Sequence, residues 1–320
     1  MENSKQLNLP KVRTFGEKFS DSFKFIRINL SVLLRAHFVV SLPIIVLTAG
    51  FFVLVFRDHF SLLQTIESGP FADSIVMRDN FTRFGVFTVF AYLAVIPVSI
   101  VTMSILDVFV KGNGEKADFA LVMANLKKKY FRLFLLKLLI SPLAILCAFL
   151  IFLPMGPALS GFNVALAILL FIPGLIFYNL FICADLLVFQ HDYAIGLAIS
   201  RTWAIMSRNF WTALPTSAGI MLLYFVFCLM LMIPLEILEL IKGMTSGYVA
   251  PDSFWGIFLV TLRGFNTLLS LSLFSLPVVM AGIEYFTIRE TNSRAGIMER
   301  IRLIGVSEEK QNVYAEEEQY

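Results

Sequence analysis

Charge is scarce in this chain. Only 15% of its 320 residues are Asp, Glu, Lys or Arg, while 58% are hydrophobic; ordinary soluble domains carry about 25% charged and roughly 45–50% apolar residues. A soluble core of this length has no room for 33 phenylalanines, which argues against a water-soluble fold. Cysteine is equally sparse. Cys147, Cys183 and Cys228 fall in apolar stretches without a short spacing, so neither a disulfide framework nor a zinc site is expected. His37, His59 and His191 are scattered and give no ligand pattern. There is no serine–histidine–acid set, glycine-rich phosphate cradle or HExxH-type pattern; Lys111-Gly-Asn-Gly-Glu115 reads as a turn. The first 30 residues are polar and basic with no short apolar region before a cleavage site, so no removable signal peptide is expected. These absences predict a non-enzymatic protein with no cofactor, no metal and no nucleic-acid partner.

What remains is long apolar runs. A spanning helix needs about 20 mainly apolar residues, and six segments qualify: Val32–Phe56, Phe84–Val110, Phe131–Pro154, Val164–Phe189, Phe210–Leu235 and Gly264–Ile288. The predicted fold class is all-α, a polytopic membrane protein with six transmembrane helices. The apolar stretch Trp255–Arg263 closes on an arginine and is placed at the outer interface, re-entering the sixth span. Of the 26 Lys and Arg residues, 21 lie in the N-terminal segment, the Lys111–Lys137 connection, the Arg201–Arg208 connection and the tail after Ile288. That asymmetry predicts cytoplasmic N- and C-termini. The outer loop Arg57–Arg83, with apolar Leu62, Leu63, Ile66, Ile75 and Val76, is too short for a domain.

Three stretches repeat one plan: Asp21–Leu30, Val122–Phe131 and Arg201–Phe210. Each has apolar residues at helical spacing with basic residues between them: Lys24 and Arg27; Lys127, Lys128 and Lys129; Arg201 and Arg208. Such segments are expected to lie as amphipathic helices in the headgroup plane, against anionic lipids. The even-numbered spans each approach the cytoplasm with one acid, Asp107, Asp185 and Glu284. An embedded acid costs on the order of 2.5–3.5 kcal/mol on insertion scales, so three at matching places point to a repeated unit. The spans therefore read as three repeated hairpins, each preceded by a cytoplasmic interfacial amphipathic helix. The repeats cover about 21–115, 116–190 and 191–288. They make up a membrane domain of residues 31–288, flanked by a cytoplasmic N-terminal segment of residues 1–30 and a cytoplasmic tail of residues 289–320. Proline lies in or beside every span (Pro43, Pro97, Pro142, Pro173, Pro215 and Pro277); it reads either as ordinary for spanning helices or as bends opening a cavity or lateral groove.

Ala198-Ile-Ser-Arg-Thr-Trp203 followed by Arg208-Asn-Phe-Trp211 resembles the bacterial membrane-domain family named after the transmembrane part of glycerophosphoryl diester phosphodiesterase. The tail from Glu284 through Gly305 is similar to that of a Bacteroidota branch of the family. The motif covers about a tenth of the chain and the six-span plan most of it. The resemblance implies a membrane architecture and carries over no catalytic residue, because the phosphodiesterase is a separate soluble barrel. Gln190-His191-Asp192 departs from the family pattern and leaves either Asp185 or Asp192 as the equivalent acid.

Two readings of the embedded acids follow. In one, Asp185 pairs with Arg201 or Arg208, and Asp107 with the Lys127–Lys129 cluster; in the other, the carboxylates bind a proton or cation during transport. The tail helix Arg294–Ile304 has Ile297, Ile301 and Ile304 on one stripe and reads as a partner-docking helix, ahead of a solvated Glu316-Glu-Glu318 run. The expected role is a scaffold or accessory subunit with membrane-protein partners in an envelope-biogenesis or protein-export complex. The alternative is a transporter or flippase for lipids or small amphiphiles.

Overall fold

A computed structural model describes residues 7, 9, 11–56, 74–152, 178, 182–246 and 253–292. Every regular element among them is helical: α1 (Phe15–Ala36), a π-helical turn (His37–Ser41), α2 (Leu42–Phe56), α3 (Ser74–Lys111), α4 (Phe119–Phe152), α5 (Ile182–His191), α6 (Ile195–Arg208), α7 (Phe210–Ser246), α8 (Phe254–Leu273) and α9 (Ser275–Asn292). Four helical runs are long and apolar enough to cross a membrane, within Phe15–Phe51, Val89–Lys111, Phe210–Leu238 and Phe254–Asn292; the bent pair α5–α6 makes up to five. The third expected span begins inside α4, and most of the fourth lies outside the described residues, as do the tail residues Ile297, Ile301 and Ile304.

The bundle has an inner and an outer layer. Ala94–Phe109 of α3, Ile182–Phe189 of α5 and Ser275–Ile288 of α9 are almost wholly buried. Each of these stretches carries one of the three acids, Asp107, Asp185 and Glu284. Around them stand α1, α4 and α7, which bury one stripe and expose the rest. The contrast is large: 83% of the apolar window in α3 is inside the protein, against 11% of that in α7. A helix apolar all round yet exposed, as α7 is at Leu222, Phe225, Met230 and Ile233, suits hydrocarbon rather than water. Close approach of the inner helices depends on Gly282 of α9, where an added Cβ would overlap Leu106 of α3 and crowd Met103.

The amphipathic segments differ from the expected plan. Only α6 is a separate helix, set off from α5 by a bend of 120° and from α7 by Asn209. The first runs from Phe15 straight towards α2, and the second is the start of the 34-residue α4. No proline or glycine interrupts residues 17–42 or 119–141, so nothing in the backbone stops either helix. The boundary drawn at residue 30 falls within α1. Trp255–Arg263 likewise forms the first half of α8 rather than a re-entrant step.

Local chemistry explains the breaks. Thr14 caps α1, accepting from the Glu17 N–H while Glu17 accepts from the Thr14 N–H, a reciprocal capping box. Pro43 lacks an N–H and crowds the preceding turn; the wider π-helical turn just before it takes up that strain without ending the helix. The inner helices α3 and α5 end through left-handed residues, Asn113 and Gly114 after α3 and Asp192 after α5, types that tolerate this backbone. Gly114 is required sterically as well, because an added Cβ would stand 2.5 Å from the Leu7 carbonyl oxygen.

Filling the α3–α9 contact should be costly. Gly282→Val is expected to destabilise the protein by about 1–3 kcal/mol, and Leu106→Ala in the same chain should recover part of that loss. Thermal unfolding of the purified variants in detergent checks both.

Candidate functional site: three buried carboxylates

Asp107, Asp185 and Glu284 are all almost completely buried, one on each inner helix. Each meets a lysine and a neutral polar side chain. Asp185 on α5 lies 2.8 Å from Lys137 Nζ of α4 and accepts from Ser99 Oγ of α3 at 3.1 Å; Lys137 also donates to Ser99 Oγ at 2.5 Å. All three of these side chains have no exposed surface. Glu284 on α9 lies 2.5 Å from Lys18 Nζ of α1, and Lys18 donates to Thr216 Oγ1 of α7 at 3.2 Å. Asp107 on α3 lies 2.6 Å from Lys111 one turn on, and accepts from Asn125 Nδ2 of α4 at 3.2 Å. Each acid is thus charge-matched, as burial of a charge in a low-dielectric interior demands.

Pairing is the arrangement, but the partners differ from those expected. Asp185 pairs with neither Arg201 nor Arg208. Arg201 is exposed and donates to the Tyr193 hydroxyl at 3.1 Å, its guanidinium 4.9 Å from the ring centroid. Arg208 is exposed beside Trp203 and Trp211. The 120° bend between α5 and α6 takes both arginines away from the buried acid. Within the 127–129 cluster, Lys127 and Lys128 are exposed while Lys129 is buried. Lys129 donates to the Val188 and Phe189 carbonyls, both at 3.0 Å, and lies 3.2 Å from Asp192. It therefore neutralises the C-terminal end of α5, where unpaired carbonyls carry partial negative charge. Lys24 and Arg27 lie on the exposed face of α1.

Asp192 occupies a different setting from Asp185. It stands at the exposed left-handed turn after α5, with Lys129, Lys128 and Arg132 nearby. The hydrogen bond from Lys129 and its charge hold the carboxyl below the usual range. By burial and by its place on an inner helix, Asp185 is the counterpart of Asp107 and Glu284.

Lys18 and Lys137 are the residues that sequence reasoning missed, since both read as cytoplasmic basic flanks. A signal was present. Lys137 sits within the apolar run Phe131–Pro154, and an embedded base calls for an embedded acid. Ser99, Thr216 and Asn125 gave none, because single polar residues in apolar helices are common. The π-helical turn adds another polar bridge: His37 lies 2.9 Å from Ser41 Oγ through Nδ1 and 3.3 Å from Thr102 Oγ1 of α3 through Nε2. Polar bonds thus link this N-terminal helical run to α3 as well as to α7 and α9.

Chemically, a hydroxyl beside an amine is the material of a nucleophile, yet Ser99 is enclosed and its lysine is tied to Asp185. Among the described residues, no cluster of three His, Cys, Asp or Glu side chains is placed to hold a metal. Comparison with family models, with curated proteins and with solved structures gives no match.

The two kinds of disruption should behave differently. Lys137→Met leaves an uncompensated buried carboxylate and should cost about 3–5 kcal/mol, whereas Lys137→Met with Asp185→Leu should recover most of it. Exchanging charge between Asp185 and Arg201 should rescue nothing. Thermal unfolding of the three proteins in one detergent separates these outcomes.

Proposed function

We propose that this chain is a multi-pass protein of the bacterial inner membrane, with both termini in the cytoplasm, acting as a non-enzymatic scaffold or accessory subunit of an envelope-biogenesis or protein-export complex. The observation carrying this reading is that all three embedded acids are paired inside the bundle with lysines from α1, α3 or α4. The pairs of Asp185 and Glu284 join two helices each, and Asp107 is joined to α4 through Asn125. The buried lysines and Arg13 leave the cytoplasmic charge tally, but the remaining excess stays on the same face, in keeping with the orientation. The resemblance of Ala198–Trp203 and Arg208–Trp211 to the phosphodiesterase membrane-domain family agrees with a membrane module free of catalytic residues. Six spans in three hairpins remain the preferred plan. Its support is the common position of the three acids and the shared burial rhythm of Lys18, Ser22, Phe25 and Asn29 in α1 with Val122, Leu126, Lys129 and Leu133 in α4.

Affinity purification of the full chain from mild detergent tests the scaffold reading. Stoichiometric membrane-protein partners are expected; a strictly monomeric protein without them would overturn it.

One observation favours a second reading, transport or flipping of lipids or small amphiphiles. An apolar groove of about 840 Å³ opens between α2, α3 and α8, lined by Leu47, Gly50, Phe51, Phe90, Gly264 and Phe265. It begins one turn beyond Pro43, where a bend in the span is expected to open one. An added Cβ at Gly50 meets nothing within 4 Å, so a side chain can start there, and Gly50→Phe places a ring in the groove. If the groove carries lipid, this change should slow translocation of a fluorescent short-chain phospholipid in proteoliposomes several-fold. A wild-type protein that moves no lipid, or an unchanged rate in the variant, rejects this second reading.

A further inference from the structure

The elbow between α6 and α7 forms a pocket that the pairing of the acids does not use. It holds about 300 Å³ and is lined by Trp203, Met206, Ser207, Arg208, Phe210 and Trp211, among others. Its base is made by buried Met206 and Ala213. Asn209 makes the elbow: with φ −116° and ψ 25° it leaves the helical path, its side chain donates to the Ile205 carbonyl at 2.9 Å, and its own carbonyl accepts from Thr212. Separating two helices there turns both indoles outward; Trp203 is 53% and Trp211 81% exposed.

The chemistry of the lining is split. Arg208 is exposed and has no hydrogen bond or ion pair with any described residue. Beside it, the Ser207 hydroxyl is engaged only by a 3.4 Å bond to the Ala204 carbonyl, so it can turn to another acceptor. The rest of the lining is aromatic and aliphatic. A guanidinium with a hydroxyl matches a phosphate oxygen pair. Indoles favour the boundary between headgroups and acyl chains, and α7 beyond the elbow is the most exposed of the four long apolar runs.

We propose that this elbow is a binding site for one anionic phospholipid, with the headgroup phosphate on Arg208 and Ser207 and the first acyl carbons against Trp203, Trp211 and Phe210. A bilayer lipid is favoured over a free phosphate because most of the lining is apolar and opens beside the exposed face of α7. The site differs from a general basic collar in having a fixed cavity and a cation that no described residue neutralises.

The chain has three tryptophans, so Trp255→Phe leaves only the two elbow indoles as reporters. The full-length protein carrying that change, in detergent micelles, is titrated with brominated phosphatidylglycerol or brominated phosphatidylcholine, and tryptophan quenching is followed. Both lipids carry a phosphate, but choline offsets its charge, so quenching by phosphatidylglycerol is expected at about fivefold lower mole fraction, the gain of one cation beside a net negative headgroup. Arg208→Gln should abolish the preference, Arg208→Lys should keep part of it, and Arg27→Gln should leave it intact. Equal quenching by the two lipids overturns the site. So does equal loss of preference in Arg27→Gln, which would mean diffuse surface attraction, or reversal by added glycerol phosphate, which would mean a free anion suffices. Should Arg208→Gln fail to elute as folded protein, Arg208→Lys and Arg27→Gln on the Trp255→Phe chain still decide: a preference weakened by the first and kept by the second supports the site, and any other pattern overturns it.

Discussion

A charge placed in an apolar interior must find an opposite charge there, and this requirement organises the bundle. The three inner helices each carry one carboxylate with almost no exposed surface. Among the described residues, no inner helix supplies a lysine to the carboxylate of another inner helix. Asp185 is matched from α4, Glu284 from α1, and Asp107 from the exposed end of its own helix with help from Asn125 of α4. Outer helices are thereby fixed to inner ones at specified heights. Hydrophobic contact alone would not do this, since an apolar helix gains little by choosing another helix over lipid tails. The ion pairs act less as a source of net stability than as register marks, because desolvation consumes much of their attraction.

The same requirement explains why α1 and α4 run unbroken. A separate helix lying flat at the interface would leave Lys18 among headgroups, whereas Lys137, already inside an apolar run, needs an acid at its own depth. Continuous helices let each lysine descend to its acid. The third amphipathic segment carries its basic residues, Arg201 and Arg208, on an exposed face with no buried acid to reach, and there the chain breaks at Asn209 and forms a true surface helix. Lys129 shows an intermediate solution. It is buried, but against the carbonyl end of α5 and the exposed Asp192 rather than an embedded acid.

Much of this was legible in the amino-acid order. Hydropathy finds the apolar helices, because the mark of a spanning helix is simply the length of its apolar run. The three acids stand out because a charge in such a run is rare. The partners were not legible, since helical spacing says which residues share a face but not which faces meet. Arg201 lies close to Asp185 along the chain, yet the left-handed Asp192 and the 120° bend separate them. Lys137 is farther along the chain and pairs with it because α4 and α5 meet at that height. The separation of α1 from its span was misjudged for a related reason. A switch from mixed to apolar composition looks like a boundary, while the backbone contains no proline or glycine between Glu17 and the π-helical turn that would end a helix.

The order in which these pairs become available during synthesis follows from their places in the chain. Asp107 has Lys111 one turn away, and Lys137 of α4 meets Asp185 of α5, well before the end of the described chain. Lys18, by contrast, must wait for Glu284, near the far end of the described chain. Until α9 arrives, α1 is a capped, amphipathic helix with a lysine on its apolar stripe, a form suited to the membrane surface rather than to the interior. The closing Lys18–Glu284 contact then draws α1 against α9, with Thr216 of α7 as the third element. The first and last described helices are thus joined, and Glu284 is neutralised only once both are present. Outside this paired core lie two cavities, the apolar groove by α2 and the arginine-bearing elbow at Asn209.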